Sequence, residues 1–542
     1  MALVGTFVLA LHSHLPYCRG AGRWPHGEEW IHEAVLGTYL PLLVLLHDLR
    51  DAGVGYRIVV GLTPILIEQL ADHDIDVRNL EYIDDQVRRA ERDVARFVEA
   101  NDQGRAALAD FYLGSYRRLR EAYRDRFRRD IVAAFADLAR SGHLEILTSA
   151  ATHGYLPLLD ADAIEAQLRI GRRSTGRLLG LEPTGIWLPE CAYRPGLEMT
   201  LARHGITHFF IDAALLPGHA RPAGDVRRRR GHSELARTAP QRAALAIAPE
   251  PSDVDFLRPY YVGDSDVVAI ARHDRVSGQV WSAFMGYPGD PDYREFHRKD
   301  ERSGLRYWRV TSVHKGLGEK EHYAPGRAAE RAREHASHFV SVVRRELAGA
   351  AHAGRDPLLA VTFDSELFGH WWFEGVDWLG MVLREMAMSG PTVATAAEYL
   401  EREPPTERVA LSEGSWGKNN DHSTWLNEGT AWMWDELRRM ADETRALRAA
   451  MGRGDAFRER AARQAVRELL LAQSSDWPFL VTTGQAGDYA IERFRAHAHR
   501  LRRALALARG GVAYDDEVEL RSLERADNPF PDASLADFAA ER

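Results

Sequence analysis

Cysteine is almost absent from this chain of 542 residues, in which only Cys18 and Cys191 occur. Two cysteines exclude a fold that depends on a framework of disulfides, and they do not form the CxxC pair of a typical zinc site. The scarcity of cysteine favours a reducing compartment, and we expect the cytoplasm.

Long apolar runs are also lacking. No uninterrupted apolar run reaches the roughly 18 residues that cross a membrane. The first residues, MALVGTFVLALHSH, carry no basic leader and run directly into polar histidines. This pattern predicts a first strand, not a signal peptide, and we expect no membrane association.

An excess of positive charge is missing as well. The formal net charge is −9, with 70 Lys and Arg against 79 Asp and Glu. Binding to nucleic acid needs a basic surface that neutralises phosphates, so this class of function is disfavoured. The run Arg227–Arg230 is the local exception, and we interpret it as part of a solvated loop.

The chain does contain a series of short apolar runs separated by segments of helical period. Strands that alternate with helices predict parallel βα units, and near-continuous apolar strands fit a sheet that is buried on both faces. At this length two or three domains are expected. The seven predicted strands are residues 6–14, 56–64, 144–150, 185–190, 208–216, 266–274 and 358–366.

Polar residues able to do chemistry follow nearly every one of these strands. In a parallel α/β barrel the C-terminal strand ends form one rim, where the active site lies. The pattern therefore predicts an α/β fold with a seven-stranded (β/α)7 barrel, although an open sheet would give the same periodicity. The residues at the strand ends are His12, His14, Thr63, Thr148, His153, Glu190, Asp212, Arg272, Asp274, Asp364 and Glu366.

Two regions interrupt the alternation of strands and helices. Residues 217–262 are rich in Pro, Gly, Ala and Arg, and we interpret them as a lid or loop inserted between the fifth and sixth strands. After about residue 405 the strand signal ends and amphipathic helices follow. The predicted domains are a catalytic barrel over residues 1–405 and an α-helical C-terminal domain over residues 406–542.

Two of the strand-end residues are carboxylic acids flanked by aromatic side chains. Glu190 ends the run IWLPE, and Asp364 ends the run AVTFD. Two carboxyl groups on one rim are typical of a glycosidase, in which one attacks the anomeric carbon and the other protonates the leaving oxygen. A single acid at a strand end is more often a helix cap or an ion-pair partner, so it is the pair that favours catalysis.

Tryptophan is abundant, with 13 residues. Sugar rings present apolar C–H faces that lie flat on an indole, whereas a buried tryptophan more often belongs to a core. Trp416 and Trp425 lie in GSWGKNNDHSTWLN (414–427), a segment rich in Gly, Asn and Ser in which packing does not demand them. We therefore predict that both contact a ligand.

Several long motifs in a fixed order resemble those of glycoside hydrolase family 57, and in particular those of its 1,4-α-glucan branching enzymes. The resemblance spans nearly the whole chain. The motifs are HSHLPY (12–17), GRWPHGEEWIHEAVLGTYLPLL (22–43), GLTPILIEQL (61–70), WLPECAY (187–193), QVWSAFMGYPGDPDYREFHRKD (279–300), TFDSELFGHWW (362–372), SEGSWGKNNDHSTWLN (412–427) and LAQSSDWPFL (471–480).

The resemblance implies a (β/α)7 barrel with a helical C-terminal domain. It also implies a retaining reaction without metal or cofactor, with Glu190 as nucleophile and Asp364 as general acid/base. An α-1,4-glucan would be both donor and acceptor. Carried over by motif, the residues that would bind the substrate are His12, His14, Trp30, His153, Arg272, Trp281, Trp371, Trp416, Trp425 and Asp476.

One region departs from the pattern of that family. Its branching enzymes usually carry a short loop with a functional tyrosine between strands five and six, whereas the loop here is long and rich in arginine. Tyr260 and Tyr261 stand at its far end, and one of them is expected to take this role. The balance between transfer and hydrolysis depends on this loop.

A retaining reaction makes further predictions for the two acids. Two displacements through a covalent glycosyl-enzyme require a separation of about 5–5.5 Å between the carboxyl groups of Glu190 and Asp364. The pKa of Asp364 should be raised by burial and by its carboxylate partner.

Other functions are compatible with the sequence. An α-amylase or a 4-α-glucanotransferase of the same family would share these motifs, and a non-catalytic glucan-binding protein would share the aromatic residues. Because alternation places His12 and His14 on the same face of a strand, they could also be two ligands of a metal-dependent deacetylase-type hydrolase. No third ligand motif accompanies them, so we interpret both as contacts to a sugar in the −1 subsite.

Overall fold

The computed structural model describes residues 5–22, 26–218, 255–282, 286–312, 314–350, 356–452, 455–510 and 513–539. Most of the predicted lid, including the run Arg227–Arg230, lies outside these residues. The strands are β1 (Thr6–Ser13), β2 (Ile58–Leu62), β3 (Leu144–Leu147), β4 (Gly185–Ile186), β5 (His208–Ile211), β6 (Tyr260–Val262), β7 (Val268–Ala271), β8 (Leu358–Asp364), β9 (Thr392–Val393) and β10 (Arg408–Val409).

The helices alternate with the barrel strands and then continue alone. Asp72 begins α4 because its carboxylate accepts hydrogen bonds from the backbone of Asp74 and Ile75, and Gly180 ends α7 in the left-handed region at φ 65°. The helices are α1 (Glu29–Ala34), α2 (Leu40–Asp51), α3 (Pro64–Leu70), α4 (His73–Glu99), α5 (Gln103–Glu121), α6 (Ile131–Arg140), α7 (Ala161–Leu179), α8 (Leu197–Arg203), α9 (Asp274–Trp281), α10 (Pro325–Ala350), α11 (Gly375–Ser389), α12 (Ala396–Arg402), α13 (Ala431–Ala450), α14 (Ala456–Ala472), α15 (Asp476–Thr483), α16 (Gly487–Arg509) and α17 (Tyr514–Ala526).

Seven parallel strands close into a barrel. Strands β8, β1, β2 and β3 form one sheet, and β4, β5 and β7 are neighbours in a second sheet. A single parallel bridge between Thr148 and Ile186 joins β3 to β4, and another between Arg272 and Ala360 joins β7 to β8. These two junctions complete the ring, so the predicted (β/α)7 barrel is confirmed and the open sheet is excluded.

Three short strands extend the sheets beyond the predicted seven. β6 is antiparallel to β7, β10 pairs with β6, and β9 pairs with the start of β1. β6 lies within the segment that was expected to be a loop. Tyr261 is level with Val268, the first residue of β7, so this addition lies at the end of the barrel opposite the rim.

The C-terminal helices share a hydrophobic core with the barrel. This core joins apolar residues of β4, β5 and β7 to residues of α13, α14, α15 and α16, such as Trp477 and Leu501. The helices are therefore held against the side of the barrel that carries Glu190.

One helical stretch is long and apolar enough, by composition alone, to cross a membrane. It comprises α1, a five-residue π-helical turn (Val35–Tyr39) and α2, and 67% of its apolar window is buried inside the protein. We therefore interpret this stretch as a core helix that packs against the barrel.

Candidate active site

Glu190 stands on a strained turn directly after β4. It lies in the single 3₁₀ turn Pro189–Cys191 with φ 62°, and Cys191 follows with φ 47°. Non-glycine residues in this left-handed region cost about 1–3 kcal/mol each, so surrounding contacts must hold them there. One such contact is a hydrogen bond of 3.1 Å from the backbone nitrogen of Trp416 to the carbonyl oxygen of Glu190.

Both carboxylate oxygens of Glu190 accept a hydrogen bond from the C-terminal part of the chain. Oε1 accepts from the hydroxyl of Ser475 at 2.8 Å, and Oε2 accepts from the indole nitrogen of Trp416 at 2.9 Å. Burial raises the pKa of Glu190, whereas these two donors act in the opposite direction because they bind the ionised form.

Two buried histidines continue this network behind Ser475. His153 Nδ1 lies 2.9 Å from Ser475 Oγ, and His153 Nε2 lies 3.1 Å from His12 Nε2. Because Ser475 donates to Glu190, it must accept from His153 Nδ1–H, which leaves His153 Nε2 to accept from His12 Nε2–H. The hydrogen bonds thus run in one direction from His12 to Glu190.

The charge states of these histidines support that direction. Burial and the nearby His14 lower the pKa of both His12 and His153 well below the usual value, so both rings are neutral. A neutral ring has one donor and one acceptor nitrogen, as the network from His12 to Glu190 requires.

His14 differs from the other two histidines because it faces a carboxylate. Its Nε2 lies 3.0 Å from Asp476 Oδ2, and its Nδ1 lies 3.0 Å from Thr63 Oγ1. Although burial opposes protonation, Asp476 raises the pKa of His14. The ring of His14 stacks on that of His153 with 3.9 Å between centroids, so the histidine whose protonated form Asp476 favours lies beside the network.

Asp364 ends β8 in the mouth of the barrel and is partly exposed there. Burial of the carboxyl group raises its pKa well above the usual value, and the negative charges of Glu366 and Glu190 raise it further. Arg272 opposes this shift, but its guanidinium is already paired with Asp212 at 2.6 Å. These surroundings therefore favour the protonated form of Asp364, and the shift has the predicted direction.

Aromatic rings surround the carboxyl groups. Trp187 stacks on His12 with 4.5 Å between centroids. Trp416 stands edge-on to Trp187 at 5.5 Å and to Trp281 at 6.2 Å. Trp416 and Trp281 are half-buried and carry indole rings beside the carboxylate of Glu190, a combination suited to binding and cleaving a sugar chain.

The sequence motifs are matched by two family models. The model of glycosyl hydrolase family 57 matches residues 8–412, and that of the 1,4-alpha-glucan branching enzyme C-terminal region matches residues 436–538. The chain belongs to glycosyl hydrolase family 57. The resemblance drawn from the motifs is thereby confirmed.

Relatives within family 57 cover the chain almost completely. A 1,4-alpha-glucan branching enzyme of Thermococcus kodakarensis is 39% identical, with 99% of this chain and 79% of that protein covered. A crystal structure of the family 57 branching enzyme from Thermococcus kodakaraensis, in complex with glucose and additives, matches with a TM-score of 0.89 at 38% identity over 100% of this chain and 97% of that one. An alpha-amylase from Thermotoga maritima matches with a TM-score of 0.83 at 29% identity over 99% of both chains.

The structure of this family 57 chain brings most of the predicted residues together. Direct contacts link His12, His14, His153, Glu190, Trp416 and Asp476, while Trp281 contacts the ring of Trp416. Electrostatic coupling links Asp364 to Glu190 and to Arg272. Three of the four ring nitrogens of His12 and His14 take part in hydrogen bonds.

No metal ligand set appears at His12 and His14 among the residues that the structure describes. The His, Asp and Glu side chains close enough to hold an ion are Glu468, His497 and Asp527, which lie in and beside the C-terminal helices. The two histidines at the rim instead bond to His153, Thr63 and Asp476.

Trp425 is placed differently from the prediction. Its side chain is 1% exposed and stacks on Tyr155 with 4.5 Å between centroids. Its carbonyl oxygen accepts a hydrogen bond from the indole of Trp434 at 2.9 Å. Trp425 therefore stabilises the segment that carries Trp416, and it offers no free face to a ligand in this conformation.

The two tyrosines of the predicted lid are also placed away from the rim. The hydroxyl of Tyr260 bonds to the backbone of Asp255. Tyr260 also lines a small pocket with Asp356 and Pro357, which precede β8. Tyr261 stacks under the guanidinium of Arg408. Both therefore lie at the opposite end of the barrel, and assigning either to the active site was wrong for this conformation.

Trp30 and Trp371 lie in the surroundings of the rim. Trp30 is half-buried and stands edge-on to Tyr489 at 5.4 Å. Trp371 is half-buried and packs on Phe296 at 4.4 Å. Neither contacts a carboxyl group of the site, so their assignment to substrate binding stays a prediction.

Three residues that touch the central network were not among the predicted catalytic and substrate-binding residues. Ser475 is the donor to Glu190, Thr63 bonds to His14, and Trp187 stacks on His12. Thr63 stood at a predicted strand end, and Trp187 stood inside a motif. Ser475 directly precedes Asp476 in LAQSSDWPFL, and only the fold shows that it reaches across to Glu190.

Proposed function

We propose that this chain is a 1,4-α-glucan branching enzyme that cleaves an α-1,4 bond and forms an α-1,6 bond with retention of configuration. The observation that carries the proposal is the contrast between its two acids. Two donors limit the rise that burial causes in the pKa of Glu190, whereas burial and neighbouring carboxylates raise the pKa of Asp364 well above its usual value. A pair of acids whose environments differ in this way is suited to act as nucleophile and acid.

In the first half of the proposed reaction, the carboxylate of Glu190 attacks the anomeric carbon of the glucan. Asp364 gives its proton to the glycosidic oxygen as the bond to carbon breaks, and the chain beyond the cut leaves. A covalent glycosyl-enzyme remains. The hydrogen bonds from Ser475 and Trp416 hold the attacking carboxylate in position.

In the second half, Asp364 acts as a base. It takes the proton of a 6-hydroxyl group of the acceptor glucan while that oxygen attacks the anomeric carbon and Glu190 leaves. Two inversions restore the α configuration. Asp476 favours the protonated form of His14, and protonated His14 would add positive charge beside the network at Glu190.

Transfer rather than hydrolysis requires that an acceptor glucan, and not water, meets the glycosyl-enzyme. Trp416 contacts the nucleophile directly and comes from the segment 412–427, so it is placed to cover that intermediate. The names of the relatives include both branching enzymes and an alpha-amylase, and the match of the branching-enzyme C-terminal region favours branching. We also propose that the protein acts in the cytoplasm and that an α-1,4-glucan is both donor and acceptor.

Incubation with amylose tests the proposed activity. We expect iodine staining to fall and isoamylase-sensitive branches to appear, with little new reducing sugar. Abundant reducing ends without branches would identify an amylase instead, and disproportionated linear oligosaccharides would identify a 4-α-glucanotransferase.

Replacing Ser475 by alanine should change the pH dependence of the reaction. The hydroxyl of Ser475 lowers the pKa of Glu190, so its loss raises that pKa. Because Glu190 must be ionised to attack, we expect the acid limb of the kcat/KM profile to move to higher pH by about one pH unit. The matched control is Ser337→Ala, which removes a serine–glutamate bond of 2.8 Å to Glu385 on the protein surface and should leave the profile unchanged.

A further inference from the structure

A third carboxyl group, Glu366, lies two residues beyond Asp364 and has no role in the proposed reaction. It belongs to the 3₁₀ turn Ser365–Leu367, which follows β8, and it is 8% exposed. The neighbouring Ser365 is fully buried and bonds through its hydroxyl to Ser13 at 2.7 Å. The turn is therefore anchored to β1, and Glu366 cannot swing away from the rim easily.

Two donors fix the carboxyl group of Glu366. Its Oε1 accepts a hydrogen bond from the backbone nitrogen of His14 at 3.2 Å and another from the hydroxyl of Tyr39. Tyr39 is the last residue of the π-helical turn Val35–Tyr39, which interrupts the helical stretch between α1 and α2. Such local π-helical turns occur frequently at functional sites because they redirect a side chain.

Several titratable and charged side chains surround Glu366. Burial raises the pKa of Glu366 to about 7, and the hydrogen bond from Tyr39 and the nearby His14 limit the rise. Beyond them, Asp364 ends the strand that precedes the turn of Glu366, Asp476 pairs with His14, and Glu190 and Arg272 act on Asp364 across the rim.

We propose that Glu366 is a positioning residue for Asp364. In the free enzyme, the fixed carboxylate of Glu366 helps to keep the proton on Asp364. Asp364 is level with His12 on β1, and Glu366 bonds to the backbone of His14 two residues further along the chain, so the two carboxyl groups occupy successive positions of one rim. Two nearby carboxyl groups lose their protons in two separate steps that belong to the pair. Burial raises the pKa of Glu366 to about 7, and the negative charge of ionised Glu366 disfavours ionisation of Asp364.

This inference rests on the proposed role of Asp364 as general acid, and a pH profile tests it. In E366Q the charge is removed and the shape is kept, so the pKa of Asp364 falls. We expect the alkaline limb of kcat/KM to move to lower pH by about one pH unit. Loss of activity by the same factor at every pH, with the limb unmoved, would show a merely structural role and overturn the inference.

A second variant keeps the test independent of how well E366Q folds. In Y39F the donor that favours ionised Glu366 is lost, so Glu366 stays neutral to higher pH and the limb should move in the same direction by a smaller amount. In E366Q/Y39F the limb should coincide with that of E366Q, because Tyr39 acts through Glu366. If the shifts of the two single variants add up in the double variant, Tyr39 does not act through Glu366.

The matched control is Tyr123→Phe. Tyr123 also lies in a five-residue π-helical turn, Ala122–Arg126, and donates to the carboxylate of Asp76 at 2.7 Å, outside the site. The alkaline limb of the kcat/KM profile of Tyr123→Phe should stay at the wild-type position.

The variant Asp364→Asn separates the two proposals: if it keeps full activity, the role of Asp364 is refuted. If it is inactive while the limb of E366Q is unmoved, only the role of Glu366 is refuted.

Discussion

Replacing Glu190 by alanine should lower the branching activity by about 10⁴-fold or more, because the covalent intermediate can no longer form. The loss should not arise from unfolding. Glu190 is a buried acid on a strained turn, and such groups typically reduce stability for the sake of function. We expect the melting temperature of the variant to equal or exceed that of the wild type.

Azide distinguishes loss of the nucleophile from other damage. In Glu190→Ala, azide can occupy the space of the carboxylate and attack the anomeric carbon from the same side, so an activated α-glycosyl donor should yield a β-glycosyl azide. The control is Glu182→Ala, which removes a glutamate whose side chain is 79% exposed and should keep wild-type activity. Wild-type activity in Glu190→Ala would refute the assignment of the nucleophile.

Replacing Asp364 by alanine should lower the activity on amylose by about 10²–10⁴-fold, the contribution of a general acid and base. The loss should depend on the leaving group. A sugar alcohol leaves only with a proton, whereas fluoride leaves without one, so formation of the glycosyl-enzyme from an α-glycosyl fluoride should be far less impaired. Comparison of the two donors measures this difference directly.

Azide gives the opposite product for this second variant. In Asp364→Ala the glycosyl-enzyme on Glu190 still forms, and azide needs no base to attack it, so the product should be an α-glycosyl azide. The control Asp266→Ala removes an aspartate whose side chain is 90% exposed, and it should behave as the wild type. A β-glycosyl azide from Asp364→Ala would exchange the roles of the two acids.

The sequence was sufficient for the barrel because its signals are local. Each of the seven strands is a short apolar run, polar residues follow nearly all of these runs, and helices α13, α14 and α16 lie in the region after residue 405 that was predicted to be helical. The parallel arrangement places all the polar strand ends on one rim. Glu190 and Asp364 could therefore be identified before their neighbours were known.

The remaining parts of the site depend on contacts between distant segments. Ser475 reaches Glu190 across 285 positions of sequence, and Tyr39 reaches Glu366 across 327. No local periodicity encodes such contacts. Trp425 and Tyr260 were predicted to contact a ligand, but both side chains are buried in the protein. An aromatic residue in a polar or irregular segment does not reveal whether it will face the site or a hydrophobic core.

The two single-bridge junctions of the barrel have a consequence for how the reaction is controlled. Glu190 belongs to the arc of β4, β5 and β7, whereas Asp364 belongs to the arc of β8, β1, β2 and β3. In the part of the chain that the structure describes, the backbone ladders of the two arcs are joined by the single bridges Thr148–Ile186 and Arg272–Ala360, and side chains inside the barrel pack the arcs together. The distance between the carboxyl groups of Glu190 and Asp364 therefore depends on how these two arcs are held against each other. The C-terminal helices reach across one of these junctions, since Ser475 bonds to both His153 and Glu190. They therefore tie the end of β3 to the turn of Glu190 beside the catalytic mouth.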